Sequence, residues 1–460
     1  MPKRSGRSSG RPPSTLDAAL AAALARPAPE PRTFDQLGLP QSLVGVLARR
    51  GVHEPFAIQA RTLPDALAGR DVLGRAQTGS GKTLAFGLPM LTRLAADGGR
   101  AAPTRPRALV LVPTRELARQ VADELAPLGQ PLNLRVTTVY GGAPMGRQIE
   151  SLRRGVDVVV ATPGRLLDLM DRGACALDRV ELAVLDEADH MADLGFLPAV
   201  TRILDATPAG GQRLLFSATL DRDVDRLVHR YLSDPAIHAV APAASAVESM
   251  DHQVFTITKE DKVAVAAEIA ARSDRTLFFV RTKHGADRLA KQLGRAGVAA
   301  LAIHGNLNQN QRQRALDEFS SGRTRVLVAT DVAARGIHVD DVGLVVHFDP
   351  AHDSKGYLHR SGRTARAGAA GTVLSLVEQA QVPDLARLHA AAAVRPATAS
   401  VHVGHPAVRA LAASGTPVLT RPAGHPATGM PPRQPATSRR PHRRTTTGPG
   451  AGAQRVRQSG

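Results

Sequence analysis

Short apolar runs recur along the chain, separated by longer stretches in which apolar residues fall three and four positions apart. In the first half the runs are Asp71–Leu73, Ala108–Val112, Asp157–Ala161, Leu182–Leu185 and Arg213–Phe216. After an Ala/Ser-rich stretch at 239–250 the pattern restarts with Thr276–Val280, Ala300–Ile303, Arg325–Ala329, Leu344–Phe348 and Thr372–Val377. A run with no polar alternation predicts a strand covered on both faces, and the helical spacing between runs predicts crossover helices. The chain therefore reads as α/β, with two domains that are each a mostly parallel sheet with helices on both faces. The predicted domains span 33–238 and 251–385, with 239–250 as linker. Residues 1–32 and 386–460 lack the pattern and read as basic, largely disordered ends.

Nearly every predicted strand stops at polar residues. In the first domain these are Pro113-Thr114-Arg115-Glu116, Thr162-Pro163-Gly164-Arg165, Asp186-Glu187-Ala188-Asp189 and Ser217-Ala218-Thr219. Open parallel sheets bind ligands beyond the carboxyl ends of their strands, so these clusters are expected along one edge. Asp71-Val72-Leu73 leads into Ala76-Gln77-Thr78-Gly79-Ser80-Gly81-Lys82-Thr83, and Leu84, Leu88 and Leu91 then lie on one helical face, with a kink expected at Pro89. Strand, glycine-rich loop and helix start form the context in which backbone N–H groups cradle phosphates, although the usual pattern begins with Gly where this chain has Ala76. Two carboxylates at the end of Leu182–Leu185 can hold Mg²⁺ and orient a water. The combination describes a nucleoside triphosphatase.

Charge changes the picture at the ends. The net charge of +18 is carried by residues 1–32 (+4) and 385–460 (eleven arginines, no acid), which leaves only +3 between them. Basic tails attract polyanions through counterion release, or serve as solubilising ends with no specific partner. The single cysteine, Cys175, excludes an internal disulfide framework and fits a reducing cytosol. No apolar run approaches the length of a membrane span. The excess of Arg over Lys and the high Ala content suggest a high-GC bacterial source.

The ordered series of motifs resembles the DEAD-box ATP-dependent RNA helicases, over about 33–384. It comprises Gln59 with upstream Phe34, the phosphate loop, Pro113–Ala118, Gly141-Gly142, Thr162–Arg165, Asp186–Asp189, Ser217–Thr219, Gln309–Arg312, Ala329–Ile337 and His359–Arg366. The resemblance implies two RecA-like domains with ATP between them. It implies that Phe34 packs on adenine and Gln59 reads its edge, that Ala76, Gln77, Thr78, Gly79, Ser80, Gly81, Lys82 and Thr83 hold the phosphates, and that Lys82 reaches the β/γ-phosphates. Thr83 and Asp186 are expected at Mg²⁺, Asp186 through water, and Glu187 is expected to polarise the attacking water. Arg363 and Arg366 resemble arginine fingers, on one face if that stretch is helical. Ser217 and Thr219 either link Asp186–Asp189 to strand separation or simply cap the following helix.

RNA is expected across the strand ends, at Thr114, Arg115, Gly142, Thr162, Gly164 and Arg165 in the first domain and Arg281, Gln309, Arg312, Thr330 and Asp331 in the second. With no Trp and 3% aromatic residues, backbone and 2′-hydroxyl contacts fit better than base stacking, so little sequence specificity is expected. Phe56 stands where the family has Thr, Ser361 and Ala365 replace commoner Ile and Gly, and His338 replaces an Asp that touches ribose. The expected activity is RNA-stimulated ATP hydrolysis coupled to local opening or remodelling of short RNA duplexes. The alternative is an ATP-gated RNA clamp or annealing chaperone. A cytoplasmic location is expected, with ribosomal or RNA-decay assemblies as settings.

Overall fold

The structure, a computed structural model, describes residues 15–27, 30, 32–77, 79–240, 250–334, 342–364 and 371–413. The first half forms strands β1 (Val72–Arg75), β2 (Ala108–Leu111), β3 (Val136–Val139), β4 (Val158–Ala161), β5 (Leu182–Asp186), β6 (Gln212–Ser217) and β7 (Ala236–Ala239). All pair in parallel, in the order β3-β4-β2-β5-β6-β1-β7. The second half forms β8 (Met250–Thr256), β9 (Arg275–Val280), β10 (Ala300–Ile303), β11 (Val326–Thr330), β12 (Val342–His347), β13 (Gly371–Val377) and β14 (Ala397–Ser400). Its order is β10-β11-β9-β12-β13-β8-β14, again parallel throughout. Counted from the first strand of each half the two orders are the same, so one topology occurs twice.

Alternating side chains of each strand enter opposite cores. Val110, Val184, Leu214 and Phe216 face one helical layer, while Leu109, Ala183, Leu185 and Leu215 face the other. In the second sheet Phe278, Val328 and Val346 lie on one side, and Leu277, Phe279, Leu327 and Val345 on the other. Burial on both faces is what makes the strands continuous apolar runs. Phe86, on the helix Lys82–Ala96, packs on Phe216 with ring centroids 5.7 Å apart, which ties the helix after β1 to the sheet. That helix continues through Pro89 as a single assigned element of 15 residues.

The ends differ from expectation. Within 1–32, residues Thr15–Ala25 form a helix that buries Leu16, Leu20 and Ala23 in the first domain's core. Arg61 fixes its C-terminal end by donating to the carbonyls of Ala23, Arg26 and Pro27. The spacing of 16, 20 and 23 is an apolar face that the Arg/Ser/Pro-rich average conceals. At the other end, order passes the predicted boundary at 385. The helix Val382–Ala391 crosses it, β14 pairs with β8, and the helix Pro406–Ala412 buries Val408 and Leu411 in the second domain's core. Within the predicted linker, Ala239 closes β7 and Met250 opens β8. Residues 1–14, 241–249 and 414–460 lie outside the described residues. Among the described residues no helix is long and apolar enough to cross a membrane.

Candidate functional site

β1 ends at Arg75, and the next element is the helix Lys82–Ala96. Ala76 is buried and its N–H donates to the Ser217 carbonyl on β6 (3.1 Å), so it extends the sheet, and a methyl is accommodated at this position. Gly79 and Gly81 have φ of +87° and +85°. At Gly81 a Cβ would stand 2.4 Å from Gln59 Nε2 and 2.7 Å from Phe56 Cδ2, so this position needs glycine for both its backbone and its space. The Ser80 hydroxyl donates to the Gln77 carbonyl (2.7 Å), and buried Lys82 Nζ donates to the Ala76 carbonyl (3.2 Å). The lysine thus arches over the loop whose phosphates it is expected to reach. Burial pushes the nearby Glu124 carboxyl above the ordinary carboxylate range, against the opposing influence of Arg50 and the Thr83 side chain. Thr78 lies outside the described residues.

Gln59 is buried, donates through Nε2 to the Gly81 carbonyl (2.9 Å) and accepts the Phe56 N–H at Oε1 (2.8 Å). The amide therefore clamps the phosphate loop to the start of the helix Ala57–Leu67, leaving one Nε2 hydrogen for another acceptor. Phe34 departs from expectation. It is 1% exposed within the first domain's apolar core, so in this arrangement its ring offers no face to a base.

β5 delivers Asp186 to the same edge, where Asp186 Oδ1 accepts the N–H of Glu187 (3.0 Å). Glu187 takes the left-handed conformation, φ 53° and ψ 51°, before the helix Ala188–Asp193. Its carboxylate meets His190 Nδ1 at 2.7 Å. Both carboxyl groups are buried, with opposite results. Burial pushes Asp186 up to about 6 against the pull of Lys82. For Glu187, burial acts upward but is outweighed by His190, Lys82 and Arg363, which hold it below the usual carboxylate range. The site thus pairs a carboxyl whose charge the protein leaves under-compensated with one kept ionised.

Asp189 Oδ2 accepts the Thr219 N–H (2.9 Å) and hydroxyl (2.8 Å), and its own N–H donates to Ser217 Oγ (3.3 Å). The next helix, Arg222–Tyr231, is capped by Asp221. Capping is therefore not the role of Ser217 and Thr219. They join β6 to the acidic quartet.

The second half meets this edge at several points. Arg363 is buried and follows the helix Ser354–Ser361, so it sits in a turn, its N–H bonded to the Arg360 carbonyl (3.1 Å). A shared helical face with Arg366 is thus not what positions it, and Arg366 and His338 lie outside the described residues. The His359 ring stands edge-on to His190, centroids 4.8 Å apart, and burial pushes it down to about 4. Lys355 bridges Asp193 and Asp221 at 3.0 Å each. Buried Glu116 accepts from Gln309 Nε2 (3.1 Å) and Arg312 Nε (2.7 Å). The sequence named Glu116 only as part of a strand-end cluster and gave it no role, and nothing in it singled out His190 or Lys355. Their partners lie far along the chain or beside a motif already recognised.

Thr114, Arg115, Thr162, Gly164 and Arg165 converge with Gln309 and Arg312 on a cleft of about 520 Å³, together with exposed Val332. Gly142 (φ +82°) lets the Arg115 guanidinium lie where a Cβ would meet it at 2.2 Å. Arg165 is anchored to the Ala143 carbonyl (3.1 Å). Arg281 is exposed at the end of β9. Thr330 is buried, and Asp331 is held bidentately by buried Arg360 (2.5 and 2.7 Å), so these two lie outside the cleft's lining. Gln309, Arg312 and Asp331 are thus already engaged by protein. Among the described residues no group of three or more His, Cys, Asp or Glu could hold a metal; Mg²⁺ bound with water and phosphate needs only one or two protein carboxylates, and Asp186 can supply one.

Comparison with known proteins agrees with this layout. The profile of the DEAD/DEAH box helicases matches residues 56–227 and that of the helicase conserved C-terminal domain matches 261–368. The chain is 41% identical over 359 residues to the ATP-dependent RNA helicase DBP2 of Eremothecium gossypii, covering 76% of this chain and 64% of that protein. It is 42% identical over 351 residues to DEAD-box ATP-dependent RNA helicase 30 of Arabidopsis thaliana, covering 75% and 59%. It thus spans somewhat under two thirds of these relatives. The structure of S. cerevisiae Dbp5 bound to RNA and ADP BeF3 superposes with a TM-score of 0.71 at 30% identity, covering 80% of this chain and 95% of that one. Two RecA-like domains in one chain, with these motifs in order on facing edges, place this protein in the DEAD-box helicase family.

Proposed function

We propose that this protein is an RNA-stimulated ATPase that locally opens or remodels short RNA duplexes. The observation that carries the reading is the split catalytic set. Lys82 and Glu187 belong to the first domain, and the charge that reaches the Glu187 carboxylate across the cleft is that of Arg363 from the second. Lys82 would bind the β/γ-phosphates, ionised Glu187 would orient and accept a proton from the attacking water, and Arg363 would stabilise charge developing on the transferred phosphoryl group. Mg²⁺ held through Asp186 would supply phosphate neutralisation, and the under-compensated charge of that buried carboxyl fits a cation. RNA lying in the cleft beside Thr114, Arg115 and Arg165 would favour the closed arrangement and couple binding to hydrolysis. The relatives' designation as ATP-dependent RNA helicases, and the RNA and ADP BeF3 in the Dbp5 structure, support the same substrates here. A cytoplasmic setting is part of the proposal, with which a single cysteine agrees, and ribosomal or RNA-decay assemblies are the candidate surroundings. The bacterial origin suggested by Arg and Ala usage rests on composition alone, and the relatives compared are fungal and plant proteins.

The test is Glu187→Gln. It is expected to abolish hydrolysis while keeping ATP-dependent RNA binding, whereas Lys82→Ala weakens ATP binding and Arg363→Ala mainly slows turnover, by about 10³-fold. Near-normal turnover in Glu187→Gln would sink the assignment. Strand displacement without ATP hydrolysis would favour the clamp or annealing reading.

A further inference from the structure

The chain has ten phenylalanines, all within the described residues, and nine are buried or half-buried. Phe56 alone is exposed, at 58%. Single apolar side chains on a surface need no explanation in general, but this one has a specific setting. It occupies the N-cap of the helix Ala57–Leu67, where Ser, Thr, Asp or Asn would supply an acceptor and Phe supplies none. Only the reciprocal bond is made, from the Phe56 N–H to Gln59 Oε1 (2.8 Å). Its ring lies against the phosphate loop, since Phe56 Cδ2 is 2.7 Å from where a Cβ of Gly81 would be. The residue is thus unfavourable for the local cap, unfavourable for solvation, and placed at the mouth of the nucleotide site.

Two further observations bear on the same site. Phe34 is sealed in the core and presents no ring face. The Gln59 amide is tied through Oε1 to Phe56 and through Nε2 to the Gly81 carbonyl, which leaves one donor hydrogen and one Oε1 lone pair to read a base edge. An aromatic ring binds any nucleobase through its π-face, because stacking is tolerant of base identity.

We propose that Phe56 is the stacking platform for the nucleotide base, gripping all four bases alike, with the choice among them left to the Gln59 amide. The proposal rests on the ATPase reading above, and concerns which residue grips the base. A stacked base contributes about tenfold in affinity. Removing the ring therefore weakens all four ribonucleoside triphosphates together, while the phosphate contacts from Lys82 and the loop persist.

The chain contains no tryptophan, so Phe56→Trp introduces a single fluorophore at the site in question. Titrating that variant with ATP, GTP, CTP and UTP is expected to quench its emission in each case, and inorganic triphosphate is expected to leave it unquenched. In parallel, Phe56→Ala is expected to weaken each nucleotide by about five- to tenfold in direct binding, with Phe56→Tyr near the parent and Phe56→Thr as weak as Phe56→Ala for GTP, CTP and UTP. The proposal is overturned if the parent binds the nucleotides but Phe56→Ala binds them equally well, if inorganic triphosphate quenches as fully as ATP, or if Phe56→Ala weakens ATP alone and leaves the other three unchanged. Failure of the parent chain to bind any triphosphate would instead overturn the ATPase reading on which the proposal rests.

Discussion

Arg312→Ala separates two roles for one residue. In the structure Arg312 Nε meets Glu116 Oε1 at 2.7 Å across the cleft, with the Arg312 side chain 11% and the Glu116 side chain 4% exposed. Removing the guanidinium leaves a buried carboxylate with only Gln309 Nε2, at 3.1 Å. Breaking a buried pair on one side costs about 3–5 kcal/mol, and the surviving amide bond puts the expectation at the lower end, about 3 kcal/mol or roughly a hundredfold in the closing equilibrium. The RNA concentration for half-maximal ATPase should rise by about that factor, with little change in the plateau once RNA saturates. Glu116→Ala frees Arg312 to turn toward water, so its loss is smaller, about tenfold. A double-mutant cycle supplies the decision: Glu116→Ala in the Arg312→Ala background should recover about tenfold, because the orphaned carboxylate is gone. A fluorescent pair placed one dye on each domain reports closure directly. If Arg312 only contacts RNA phosphates, Glu116→Ala would tighten RNA binding by removing a negative charge, and the two effects would add. Either result refutes the closure argument.

Gly81→Ala and Gly164→Ala should behave oppositely: the first forces a Cβ to within 2.4 Å of Gln59 Nε2 at φ +85° and should eliminate nucleotide binding, while the second meets nothing within 4 Å and should retain it, as direct titration would show. His347 is fully buried beside Tyr357, with neither ring nitrogen hydrogen-bonded, and burial together with nearby Arg360 holds its pKa well below 6.5, while burial lowers His389 to about 4. Because these groups bind protons in the unfolded chain before the folded one, stability is complete above about pH 6.5 and declines as pH falls from there toward 4 and below, by up to about 1.4 kcal/mol per pH unit per histidine. His347→Leu should flatten that slope in denaturant unfolding measured at pH 7 and 5, and an unchanged slope would contradict the assignment. Truncation after residue 413 removes eight arginines and no acid. If half of them neutralise phosphates, the slope of log affinity for single-stranded RNA against log salt should flatten by about 3. Turnover at saturating RNA should be unchanged, and an unaltered slope would make the tail a bystander.

What the sequence made legible follows from where each strand sits. Central strands such as Ala108–Leu111 and Leu182–Asp186 are covered on both faces and therefore stand out as apolar runs. The first sheet's edge strands Val136–Val139 and Ala236–Ala239, and the second sheet's Ala397–Ser400, carry Thr, His or Ser on partly open faces and escaped notice. The strand Met250–Thr256 carries three consecutive polar residues, Asp251, His252 and Gln253, and begins inside what reads as linker. The candidate nucleotide site could be proposed from sequence because most of its residues are contiguous in short motifs. The bond between Glu116 and Arg312 joins residues 196 positions apart, and neither the burial of Phe34 nor the exposure of Phe56 leaves a mark on residue order. Asp331 carries a plausible charge for RNA recognition, but three-dimensional neighbours decide that Arg360 consumes it.

The backbone at Glu187 has a consequence for how this protein can change over generations. Its φ of 53° lies in the region that glycine enters freely and other residues enter at a cost of about 1–2 kcal/mol. On the proposed function the carboxylate is needed at that point to orient the attacking water, and the fold around it absorbs the strain. A lineage that needed only to hold RNA, and no longer to turn over, would find glycine at 187 a route to a calmer backbone and a permanently silent site. Selection for hydrolysis therefore opposes selection for robustness at this one residue. Descendants that drift toward glycine here would be recognisable as binders that have given up their catalytic cycle.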